Sequence, residues 1–110
     1  MIFLLLILAP EGPPLLVSAQ SLDPSSLILN WEPPVQELRN GIIQQYSIMI
    51  VEQETGRVFS LTTRDTRLNV TSLHPYYTYN CTIAAATFAG TGPFSPPVII
   101  QLPETGILCS

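Results

Sequence analysis

Tyr77-Thr78-Tyr79-Asn80-Cys81-Thr82-Ile83-Ala84-Ala85 is the stretch on which the fold turns. Apolar or aromatic side chains hold every odd position from Tyr77 to Ala85, with Thr78, Asn80, Thr82 and Ala84 between them. A period of two belongs to a strand, whose successive side chains leave by opposite faces. The same alternation recurs upstream in Leu27, Leu29 and Trp31, and again in Tyr46, Ile48 and Ile50. Downstream, Val98, Ile100 and Leu102 repeat it. Turn chemistry separates these runs: Asn40-Gly41, Thr55-Gly56 and Gly90-Thr91-Gly92-Pro93, where glycine supplies positive φ. The pattern predicts about seven strands near residues 15–20, 26–31, 43–51, 57–62, 66–71, 77–86 and 97–102.

Composition agrees with an all-β domain. The 110 residues suit one core and leave no room for a second. Eleven prolines argue against long helices, because an interior proline removes a backbone donor and clashes with the turn before it. Hydrophobic residues make up 46% of the chain and charged residues only 11%, against about 25% in an ordinary soluble domain. A surface so short of charge needs hydroxyls, amides, glycans or neighbouring domains to cover it. The net charge is −4, with four Arg, no Lys and no basic cluster, which excludes nucleic acid as a partner.

Pro13-Pro14 opens the first strand, Trp31 with Glu32-Pro33-Pro34 closes the second, and Asn40-Gly41-Ile42-Ile43 leads to Tyr46. Leu73-His74-Pro75 precedes Tyr79, then come Ala84-Ala85 and the Gly90 to Ser95 loop. In this order and at this spacing, the landmarks resemble the fibronectin type III family. The immunoglobulin fold, the nearest rival, joins its second and sixth strands by a disulfide and keeps a Trp on the third. Here Trp31 lies on the second strand and that strand has no Cys. The resemblance implies a seven-stranded antiparallel β-sandwich over residues 13–103. Residues 1–12 form an apolar N-terminal segment or linker, and residues 104–110 a tail.

Trp31, Tyr46, Leu73 and Tyr79 are the expected structural core. The Tyr79 hydroxyl is expected to return to backbone near Leu73. Two glycosylation sequons stand out, Asn69-Val70-Thr71 and Asn80-Cys81-Thr82. Because Leu68, Val70, Cys81 and Ile83 take the inward positions, Asn69 and Asn80 are expected to face solvent, at an extracellular or cell-surface location. Cys81 reads as a small core residue, and no bridge to Cys109 is expected.

Ile2 to Ala9 is an unbroken apolar run of eight residues, too short for a bilayer span of about 20. It reads either as a signal-peptide core, without the usual preceding cation, or as the abnormal start of a fragment or a shortened transcript. Leu102-Pro103-Glu104-Thr105-Gly106 matches a sortase signal, but the hydrophobic span and basic tail that such a signal needs do not follow it.

No enzyme signature emerges. His74 is the single His and has no nucleophile motif beside it, and with two separated cysteines it cannot assemble a zinc site of four protein ligands without carboxylates at unlikely places. No catalytic residue, metal or cofactor is therefore expected. The expected activity is that of a non-catalytic protein-binding or adhesion module of a cell-surface receptor, similar to those of receptor-type tyrosine phosphatases. Its partner is another protein or neighbouring domains of the same chain. Contact is expected at two end loops, through Glu37, Arg39 and Asn40 in one and Phe88, Thr91 and Phe94 in the other. Phe94 is expected either to anchor a partner or to pack back onto its own loop. A passive spacer in a tandem array and an accessory domain of a secreted bacterial protein are the alternatives.

Overall fold

A computed structural model describes residues 8–104 of the chain. Cys109, the end of the sortase-like sequence and most of the Ile2 to Ala9 run lie outside the described residues. Eight strands follow one another: β1 (Leu15–Asp23), β2 (Ser26–Glu32), β3 (Gln45–Glu52), β4 (Val58–Thr63), β5 (Arg67–Val70), β6 (Thr78–Thr87), β7 (Gly90–Phe94) and β8 (Val98–Gln101). One turn of 3-10 helix, Gln36–Leu38, sits between β2 and β3. The smaller sheet has the order β1-β2-β5; the larger runs β4-β3-β6-β7, with β8 also paired to β6. Every pairing is antiparallel, and the two sheets form a sandwich.

The inward faces follow the period of two. Leu27, Leu29 and Trp31 leave β2 toward Tyr46, Ile48 and Ile50 of β3 and Tyr79, Cys81, Ile83 and Ala85 of β6. Val70, Leu73 and Leu102 complete the same cluster. Trp31 is 4% exposed and meets the Tyr46 ring edge-on, centroids 5.4 Å apart at 69°. That geometry suits the ring quadrupoles. The indole N–H finds no hydrogen-bond partner among the described residues.

Two features depart from the expected pattern. Gly90 to Phe94 is strand, not loop: β7 and β8 both pair with β6 and form one edge position broken at Ser95-Pro96-Pro97. Proline has no N–H to give to a ladder and is tolerated at such an edge break. Ser95 keeps the join closed, its N–H donating to Ile83 O at 2.8 Å and its Oγ accepting from Ile83 N at 3.1 Å. The turn itself is Phe88-Ala89. Second, Ala84 and Ala86 are as buried as the inward residues of β6. A methyl on a central strand lies below the side chains of its neighbours, and Ala84 pairs with both Ser47 and Phe94.

Candidate functional site

The expected contact loops lie at the end of the sandwich where β2 leaves for β3 and where β6 turns into β7. Residues 8–12 cross that end and join the two. Leu8 N donates to Asn40 O at 3.2 Å, and Thr87 Oγ1 donates to Leu8 O at 2.6 Å. Asn40 Nδ2 donates to Ala9 O at 3.1 Å, and Glu11 N to Leu38 O at 2.7 Å. Pro10 and Gly12 are buried. A Cβ on Gly92 would stand 2.5 Å from Pro10 O, so only glycine admits this approach. The described part of the expected linker is thus bonded into the domain.

This changes what the loop residues offer. Arg39 Nε donates to Pro34 O at 2.9 Å and Asn40 sits in the left-handed region at φ 56°; both are half-buried and engaged within the fold. Glu37 and Thr91 are exposed. Phe88 is 80% exposed at the β6–β7 turn. The pairing of Gln45 with Ala86 brings Ile42, 79% exposed, to the same end. Ile42 is not among the expected contact residues; its place beside Asn40-Gly41 at a strand entrance was the available signal of its exposure. Phe94 belongs to neither loop tip. It stands on β7 opposite Ala84, on the outer face of the larger sheet.

At the opposite end, the Tyr79 hydroxyl accepts from His74 N at 2.8 Å, one residue beyond Leu73. It also donates to Glu52 Oε2 at 2.8 Å, while Thr55 Oγ1 donates to Glu52 Oε1 at 2.5 Å. Glu52 is 5% exposed and continues the inward series Tyr46, Ile48, Ile50 by two more residues, so alternation alone reveals it. The Thr55 bond first, then that of Tyr79, holds its carboxyl below the ordinary value of 4.5. Burial pushes the Tyr79 phenol up to about 12. Beside this network is a cleft of about 390 Å³ lined by Arg57, Phe59, His74 and Tyr77. His74 stacks on Tyr77 with centroids 3.7 Å apart. The buried carboxylate spends both oxygens on the corner, which makes this a structural tie between β3, β6 and the turn before β6.

The sequons lie on different sheets. Asn69 is exposed on edge strand β5, opposite Ile28. Asn80 is half-buried on β6 between Val51 and Ile99, and its Oδ1 accepts from Gln53 Nε2 at 2.5 Å. Cys81, between Asn80 and Thr82, is fully buried and its thiol is pushed up to about 12; such a thiol is unreactive. Among the described residues no cluster of three or more His, Cys, Asp or Glu could hold a metal ion, and no helix is long and apolar enough to cross a membrane.

Residues 12–101 match the Fibronectin type III domain family. Roundabout homolog 3 of Homo sapiens is 37% identical over 102 residues, 87% of this chain and 7% of the relative. The phosphatidylinositol phosphatase PTPRQ of Rattus norvegicus is 33% identical over 91 residues, 81% of this chain and 4% of the relative. The chain thus spans less than a tenth of the length of these relatives. Among solved structures, the FN5 domain of Drosophila Lar superposes with a TM-score of 0.72 at 29% identity, covering 87% of this chain and 99% of that domain.

Proposed function

Since the chain belongs to the fibronectin type III family, we propose that it is a non-catalytic extracellular module that binds a protein partner for a cell-surface receptor. It resembles modules of cell-surface receptors and adhesion proteins. The phosphatase activity in one relative's name is that relative's own, and this chain spans 4% of it. The observation that carries the binding reading is the pair Phe88 and Ile42. Two large apolar side chains stand almost wholly in solvent on one end of a rigid sandwich, held there by the β3–β6 ladder and residues 8–12. Exposed aromatic anchors on a fixed frame are what binding hot spots are made of. The sequons Asn69 and Asn80 support an extracellular location.

The test is to display the chain multivalently against cells that each express one receptor ectodomain. A specific partner should be retained, and Phe88→Ala should weaken it about tenfold or more, a hot-spot loss, with the thermal transition unchanged. Binding indifferent to both Phe88 and Ile42 would remove this surface from the reading. The spacer alternative is favoured by one observation, the bonding of residues 8–12 into the domain, since family members occur in tandem within multidomain chains. It predicts no retained ectodomain at all.

A further inference from the structure

The five strands of the larger sheet contain one charged residue, Glu52, and it points into the sandwich. The outward side chains of that sheet's strands therefore carry no charge. Pairing sets Val58 beside Val51, Val51 beside Asn80 and Asn80 beside Ile99, so one row across the sheet is apolar except at Asn80. Met49 lies on the same face one step along β3, and Phe94 extends it at the β7 edge. Ile99 is 60% exposed, Val58 53% and Phe94 41%. The smaller sheet differs, with Asp23, Glu32 and Arg67 in its strands. Ser47, Ser60, Thr62 and Thr82 share that face, so its apolar part is the Val58–Val51–Ile99 row with Met49 and Phe94, and exposed apolar rows of this kind are commonly covered.

Asn80 is the residue in that row able to carry a cover. It opens an acceptor sequence with Thr82 two positions on, on the same face. Neighbouring strands bond β6 on both sides here. Gln53 holds Oδ1 and leaves Nδ2, the atom that takes the sugar. We propose that Asn80 bears an N-linked glycan, and that this glycan covers the charge-free outer face of the larger sheet. In the transfer, Nδ2 bonds to the sugar anomeric carbon of a lipid-pyrophosphate-linked oligosaccharide. The carbon–phosphate-oxygen bond breaks with its pair leaving on the pyrophosphate, and Nδ2 loses one proton to base. The chain thereby gains a bulky, hydrated group over that apolar row. The inference rests on the secretory location proposed above, and Asn69, exposed on the other sheet, is its internal control.

The test takes the full chain secreted from animal cells. N-glycosidase in heavy-oxygen water, followed by peptide mass analysis, marks each occupied Asn. Asn80 is expected to be marked in most molecules. Trimming the folded protein with an endoglycosidase, or the Thr82→Ala variant, should raise binding of a hydrophobic dye several-fold and produce concentration-dependent self-association. Asn69→Gln should do neither. Asn80 bare while Asn69 is occupied overturns the inference and leaves the secretory reading standing. Both bare in a secreted chain also overturns it; both bare in a retained chain counts against the two together. Occupied Asn80 with no change on trimming overturns the covering role, as does a dimer of the glycosylated chain that protects Met49 and Ile99.

Discussion

Trp31 and Glu52 sit in the same sandwich and are stabilised by opposite physics. Trp31 fills space, and Trp31→Ala should cost about 3–5 kcal/mol, the range for deleting a core aromatic, read from a denaturant titration. Trp31→Phe should cost much less, because the indole N–H it also removes has no partner among the described residues. Glu52 is a buried carboxylate kept charged by two hydroxyls. Tyr79→Phe takes away one of them and should cost about 1.5–3 kcal/mol, the range for a bond to a charged group. The pH dependence has a definite sign. With the folded carboxyl below its unfolded value, its contribution is complete above the unfolded value, near 4.5, and is lost as pH falls through the folded one. Glu52→Gln should therefore lose most relative to the natural chain at neutral pH and progressively less below pH about 4. Urea titrations of both proteins at neutral and acid pH check this; a constant gap would mean that the charge contributes nothing.

Between elements, β7 and residues 8–12 come so close at Gly92 that no side chain fits there. Gly92→Ala would press a methyl into the Pro10 backbone, and overpacking of this kind costs about 1–3 kcal/mol. The expected outcome is release of that segment with the sandwich intact, seen as faster amide exchange at Leu8 and Glu11 while β3 and β6 stay protected. The core faces of β2, β3 and β6 were legible in the sequence because alternation is local: Leu27 to Trp31, Tyr46 to Ile50 and Tyr79 to Ala85 each declare their own inward side. The same rule extended by one step would have revealed Glu52. The strand β7 was hidden because Gly90, Gly92 and Pro93 carry the chemistry of a turn and only the partner β6 makes them strand. Nothing in Leu8-Ala9-Pro10 announces Asn40 and Thr87 as its partners; that contact joins residues 79 apart in the chain, and local pattern is blind to such separations.

As a whole, the molecule builds two sheets around one core, and among the described residues no group of three or more His, Cys, Asp or Glu could hold a metal ion. A chelator should leave the melting temperature within a degree or so of its starting value; a fall of several degrees would show that ligand groups had been overlooked. The bonding of Leu8 to Asn40 and Thr87 also decides how the molecule answers tension. A pull on the chain at Leu8 is not delivered first to β1, whose first residue is Leu15. It is delivered through Thr87 to β6, at the centre of the larger sheet, and through Asn40 to the entrance of β3. Those few bonds act as a fuse: under load they part, let out a short length of slack and absorb work before any strand of the sandwich shears.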